Sequence, residues 1–173
     1  MKNLETPKPL SMKKTAFLGL ALWLAAASVA GQQRIVTSLS GEGWHLWPDK
    51  AANWKNEKIF MTPVDVSSLP VVPPTEGWDV LFSDRAIPVQ VPGSAEEYLQ
   101  TVSGPEGDIH GVTWWSRKIA LPDYREPKRI LLKFGSIRSR AEIFIDRKLV
   151  DYQIVDNTPF EADITPYVKP GAT

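Results

Sequence analysis

The sequence has no cysteine, which excludes disulfide frameworks, thiolate-bound zinc, iron–sulfur clusters, thiol nucleophiles and lipid attachment through sulfur. Histidine is scarce as well: His45 and His110 are the two, too few for a histidine-rich metal site. Charge of one sign is also missing, because 20 Lys and Arg face 20 Asp and Glu. A protein that binds nucleic acid by neutralising phosphates needs a basic surplus, so no nucleic-acid partner is expected. Only one long apolar run occurs, Ala16 to Ala27. At about 12 residues it falls short of the roughly 20 needed to cross a bilayer.

That run follows Met12, Lys13 and Lys14 and ends in Ser28-Val29-Ala30. A basic start, a short apolar core and a small-x-Ala exit are the parts of a secretory signal peptide. The sequence therefore predicts a signal peptide over 1–30 and one exported domain over 31–173. The location is periplasmic or extracellular, with no membrane contact after cleavage. Fifteen Pro and eleven Gly cut the chain into short segments, which favours strands and loops over long helices.

Short β-branched or alternating runs supply the strand candidates: Ile35 to Leu39, Trp44 to Trp47, Trp78 to Phe82, Ile87 to Val91, Val112 to Leu121, Arg129 to Phe134, Ala141 to Ile145, Leu149 to Gln153, and Phe160 to Ile164. The stretch Thr62 to Glu76 contains Pro63, Pro70, Pro73 and Pro74 and reads as an irregular excursion or an edge. Pro88 suits an edge strand. Ala95 to Gln100 reads as one helical turn, with Ser94 as N-cap and Glu97 as its capping-box partner. Asp146-Arg147-Lys148 reads as a tight hairpin turn, yet it lacks the Gly of a two-residue type I′ connection, so a longer or bulged geometry is expected. Adjacent residues on a strand point to opposite faces, so Trp114 and Trp115 must serve two different surfaces. The fold class is all-β, an antiparallel β-sandwich. The pattern itself leaves immunoglobulin-like and jelly-roll topologies open.

Six segments in fixed order carry a resemblance. Gly111-Val112-x-Trp114-Trp115-x-Arg117 resembles the Gly-Val-x-Trp-Tyr-x-Arg segment of the N-terminal sugar-binding domain of glycoside hydrolase family 2. Arg129 to Ile137 is similar to that domain's strand ending in Phe-Gly-x-Val. Ala141 to Val150 resembles its hairpin, with Asp146-Arg147 in place of Asn-Gly. Thr158-Pro159-Phe160-x-x-Asp163-Ile164-Thr165 matches its Thr-Pro-Phe-x-x-Asp-Ile-Thr, while Leu39 to Trp44 and Val91-Pro92-Gly93-Ser94 resemble its opening and its Val-Pro-Gly-Ser turn. The resemblance implies a jelly-roll, galactose-binding-domain-like sandwich, with an immunoglobulin-like domain and a catalytic (β/α)₈ barrel as the downstream partners. It also implies that the sequence stops before the sandwich is complete. The family includes β-galactosidases, β-glucuronidases and β-mannosidases, which hydrolyse O-glycosidic bonds with retention through two carboxylates about 5 Å apart. Those carboxylates belong to the barrel, so no catalytic residue is expected in this chain.

Local alternatives are weaker. Glu96 and Glu97 are sequence neighbours whose side chains diverge, and Glu97 already has a capping role. His110 with Asp108 and Ser103 or Ser116 lacks a nucleophile elbow. Sugar contact is the more serious option, since aromatic faces stack on C–H surfaces and planar polar groups bond hydroxyls. Of Trp44, Trp47, Trp54, Trp78, Trp114 and Trp115, four are expected to be structural, because indole burial must replace missing disulfides. The resemblance places Asp156 and Asn157 at the tip of a loop that reaches toward the sugar site in some members. The expected carbohydrate-binding residues are Asp156, Asn157 and Trp115, with carbohydrate as partner and no metal or cofactor. The rivals are a free-standing carbohydrate-binding module and a remnant that cannot fold without further strands.

Overall fold

A computed structural model describes residues 34–52, 65–103, 111–122, 129–138, 140–169 and 171. The expected signal peptide, Trp54, Asp108 and His110 lie outside them. All the described regular elements fall in one compact unit, Leu39–Thr173.

Among the described residues this unit has seven strands: β1 (Gly41–Asp49), β2 (Ile87–Val91), β3 (Val112–Ser116), β4 (Leu131–Phe134), β5 (Ala141–Ile145), β6 (Lys148–Gln153) and β7 (Phe160–Asp163). One helix, α1 (Ala95–Ser103), and two 3-10 turns, Trp78–Phe82 and Thr165–Tyr167, complete the described elements. Every pairing is antiparallel: β2-β1-β3 make one sheet, β4 pairs β7, and β5 pairs β6. The all-β sandwich class is what the structure shows, with no closed barrel among the described residues. None of the described helices is long and apolar enough to cross a membrane.

The first sheet is buried on both faces, which the alternation along β1 makes possible. On one face Leu46, fully buried, joins Val89 and Leu99, with Trp44, Ile87, Ala95, Tyr98 and Trp115 packed around them. This face lies under α1, whose start is capped as expected: the Glu97 amide donates to Ser94 Oγ at 3.2 Å. On the other face Trp47 stands opposite Trp114. Trp114 meets Trp78 edge-on at 5.5 Å and Phe144 of β5 at 5.5 Å. Ser116 Oγ donates to the Leu81 carbonyl at 3.0 Å, tying the first 3-10 turn to the same face. The two neighbouring indoles do serve opposite faces.

A second cluster joins the remaining pairs. Ile143, Ala162 and Ile164 are its centre, flanked by Leu132, Phe134, Ile145 and Val150 among others. Phe134 and Phe160 are register partners and stack at 4.6 Å. Beside them Lys133 pairs with Glu161, a cross-strand charge pair of the type that contributes about 0.2–1 kcal/mol.

Several elements differ from expectation. Residues 35–39 form no strand; β1 begins instead at Gly41, three residues before the expected strand start at Trp44, and runs on to Asp49. Gly41 and Gly43 both take φ +89°, and the register with β2 slips between Gly41 and Trp44, so the glycines bend the strand rather than end it. Pro48 is accommodated because the β2 partner register ends at Leu46, leaving only β3 beside it. Trp78–Phe82 is a 3-10 turn, entered through Gly77 at φ +85° and closed by Ser83, whose amide and hydroxyl both donate to the Val80 carbonyl. The helix runs nine residues, past its expected single turn. The β5–β6 turn corrects the expected longer or bulged geometry: Ile145 faces Lys148 directly, and Asp146 and Arg147 occupy φ +46° and +69°. This is a two-residue left-handed turn built without glycine, and the irregularity falls earlier, between Ile143 and Phe144.

The proline-rich excursion is pinned to the sheet. Asp49, 4 % exposed at the end of β1, accepts the Thr75 amide on Oδ2 at 2.7 Å. Pro74 beside it is fully buried, and its carbonyl accepts the Gly77 amide at 2.8 Å.

Candidate functional site

The connection from β6 to β7 carries the two polar residues singled out by sequence. Asp156 and Asn157 form its turn, and both are exposed. Asn157 adopts φ +54°, a conformation that Asn tolerates better than most side chains because its short amide bonds locally. Its amide donates to the Ile137 carbonyl at 3.1 Å, so the turn is held against the loop that follows β4. Ser136 Oγ lies 3.5 Å from Asn157 Oδ1, and Thr158 Oγ1 donates to the Val155 carbonyl at 3.4 Å. Val155 is 53 % exposed beside this polar group. Two loops that both join the β5–β6 pair to the β4–β7 pair thus present an amide, a carboxylate and hydroxyls. Such a set can exchange hydrogen bonds with vicinal hydroxyls.

Trp115 lies elsewhere. It is half-buried on the α1 face, packed against the Leu46 cluster and edge-on to Tyr98 at 6.2 Å. Its Nε1 donates to Thr113 Oγ1 at 3.3 Å. The structure therefore brings Asp156 and Asn157 into one turn and places Trp115 in a separate cluster. Glu96 and Glu97 are exposed at the start of α1. Among the described residues no group of three or more His, Asp or Glu is placed to hold a metal ion.

The resembling segments have local physical roles. A Cβ on Gly111 would stand 2.4 Å from the Asp49 carbonyl oxygen, and its φ is +100°, so only glycine fits there. Gly93 is similarly enclosed: a Cβ would meet Tyr98 and the Gln90 carbonyl at 2.8 Å. Tyr98 Oη accepts the Gln90 amide at 3.1 Å and donates to the Gln90 carbonyl at 3.0 Å, locking α1 to the edge strand. Arg117 is a residue to which sequence reasoning gave no role. Its Nη1 donates to the carbonyls of Leu39 at 2.7 Å and Glu42 at 2.8 Å, and the guanidinium stands 6.0 Å over the Trp44 ring. Its place after an aromatic strand was visible; its carbonyl partners, 75 and 78 residues earlier, were not.

Asp163 ends β7 as expected of a short acidic side chain. Its Oδ1 accepts the Thr165 hydroxyl at 2.5 Å and the Thr165 amide at 3.1 Å. The two Thr165 hydrogen bonds, hydroxyl first, hold its carboxyl below the usual carboxylate range, with a further contribution from Arg129. Thr165 Oγ1 in turn accepts the Ile130 amide at 2.8 Å. Tyr152, fully buried in β6, has its phenol pushed up by desolvation, opposed by Arg140.

No protein-family model matches the chain. A comparison with curated proteins finds similarity to "Beta-glucuronidase" of Streptococcus agalactiae serotype V, 31 % identical over 83 residues. The match takes in 48 % of this chain and 13 % of that protein's length. Over that stretch the chain is related to a glycosidase.

Proposed function

We propose that this chain is the N-terminal carbohydrate-binding domain of an exported enzyme hydrolysing O-glycosidic bonds, and that the domain itself cleaves nothing. The similarity to a β-glucuronidase over 83 residues carries the reading. The site is consistent with it, because its functional groups suit hydroxyl binding and the resembling segments serve as scaffold. In this proposal the retaining carboxylate pair resides in a separate (β/α)₈ barrel, joined through an immunoglobulin-like domain. Asp156 and Asn157 bond sugar hydroxyls at one side of the pocket. Trp115, in its separate cluster, offers a second contact surface in this proposal, the part of its ring that α1 leaves open.

Titration of the purified chain with glucuronic acid, galactose and mannose, followed by calorimetry, tests the binding claim. The expected result is millimolar binding of at least one sugar, weakened several-fold by Asp156→Ala or Asn157→Ala. Aryl β-glycosides should give no turnover. Enzyme-like hydrolysis by the chain, or no binding to any saccharide, overturns the proposal.

A further inference from the structure

Residues 34–38 are exposed at every position and belong to no helix or strand. Ile35 is 64 % and Val36 75 % exposed, although β-branched side chains ordinarily find a sheet face to pack on. Order begins abruptly at the next residue. The Leu39 carbonyl accepts two donors at 2.7 Å, Trp44 Nε1–H and Arg117 Nη1–H. The same Arg117 nitrogen reaches the Glu42 carbonyl, so three chain positions are fixed around one guanidinium. The unit that holds the described strands, Leu39–Thr173, starts at this clamp. A short exposed stretch therefore separates Arg34 from anchored backbone.

Arg85, Arg129 and Arg147 each hold a carboxylate, and Arg117 holds carbonyls. Arg34 is exposed without an ion pair among the described residues, as Arg138 is, but Arg138 directly follows Ile137, whose carbonyl is held by the Asn157 amide. Serine endopeptidases with an acidic specificity pocket need such a cation in reach, followed by backbone that can lie extended in their cleft. A basic residue inside a strand or a tight turn meets neither condition.

We propose that the Arg34–Ile35 peptide bond is a processing site for an arginine-specific serine endopeptidase, which detaches the preceding segment and leaves the β-domain folded. The step is hydrolysis: water adds across the bond, Arg34 acquires a carboxylate and Ile35 leaves with a free ammonium. Ile35, Val36 and Thr37 take no part in either packed cluster, so the product keeps every described strand.

Limited digestion of the full chain with trypsin, followed by intact-mass analysis and N-terminal sequencing, tests this. A fragment beginning at Ile35 should accumulate first, with tryptophan emission and cooperative urea unfolding unchanged. Arg34→Gln should slow formation of that fragment at least tenfold without changing the unfolding midpoint. First cuts beyond Leu39, an unaffected digestion pattern in Arg34→Gln, or loss of cooperative unfolding in the fragment would each overturn the proposal.

Discussion

Arg147 Nη2 lies 2.9 Å from Asp79 Oδ1, joining the tip of the β5–β6 hairpin to the first 3-10 turn across 68 residues of sequence. The pair is exposed, 63 % on the arginine and 95 % on the aspartate, so its contribution is at most about 1 kcal/mol. Opposing it is the backbone: Arg147 sits at φ +69°, where an L side chain is strained by roughly 1–2 kcal/mol. The strain is the larger quantity.

Arg147→Gly should therefore raise stability by about 0.5–1 kcal/mol despite removing the ion pair, since glycine enters this turn without a steric penalty. Arg147→Ala keeps the strain, loses the pair and should be neutral or slightly destabilised. Urea midpoints of the two variants check the opposite signs. A glycine variant less stable than the wild-type chain would show that the contact with Asp79 outweighs the strain.

Gly111→Ala places a methyl group 2.4 Å from the Asp49 carbonyl oxygen and 2.9 Å from Lys50 Cα, at φ +100°. Both obstacles are backbone, so relief requires moving β1 against β3. The expected loss is about 2–4 kcal/mol. Gly41→Ala serves as the control: its φ is +89°, but nothing lies within 4 Å of the added atom. It should lose only about 1–2 kcal/mol. Chemical denaturation of both variants separates steric crowding from conformational strain.

Asp163 gives a pH-dependent expectation. Its folded carboxyl titrates below its unfolded value of 3.8, so the stability it confers is complete above about pH 5. That stability is lost as pH falls through the unfolded value toward the folded one. The difference in unfolding free energy between the wild-type chain and Asp163→Asn should be constant from pH 5 to 7 and shrink below pH 4. A difference that grew on acidification would contradict the hydrogen-bond assignment to Thr165.

Local chemistry was the part of the fold open to sequence reading. Ser94 as a cap, Pro88 on an edge strand, Asp163 at a strand exit and the divergence of Trp114 from Trp115 each depend on neighbours a few residues away. What stayed hidden depends on distant backbone. Ile35 to Leu39 has strand composition, but composition does not supply a pairing partner. Gly111 is required because the Asp49 carbonyl passes beside it, and Arg147 holds a left-handed turn whose tip meets Asp79. For the candidate site, Asp156 and Asn157 were legible as a turn. Their junction with Ser136 and Ile137 was not, since it arises from the packing of one strand pair beside another.

The back-to-back placement of Trp114 and Trp115 has a spectroscopic consequence. Trp115 senses the docking of α1 on one side of the sheet, and Trp114 senses the approach of Phe144 on the other. Two adjacent fluorophores on one strand thus act as separate reporters: the emission lost on Trp115→Phe follows the docking of α1, and the emission lost on Trp114→Phe follows the assembly of the opposite layer.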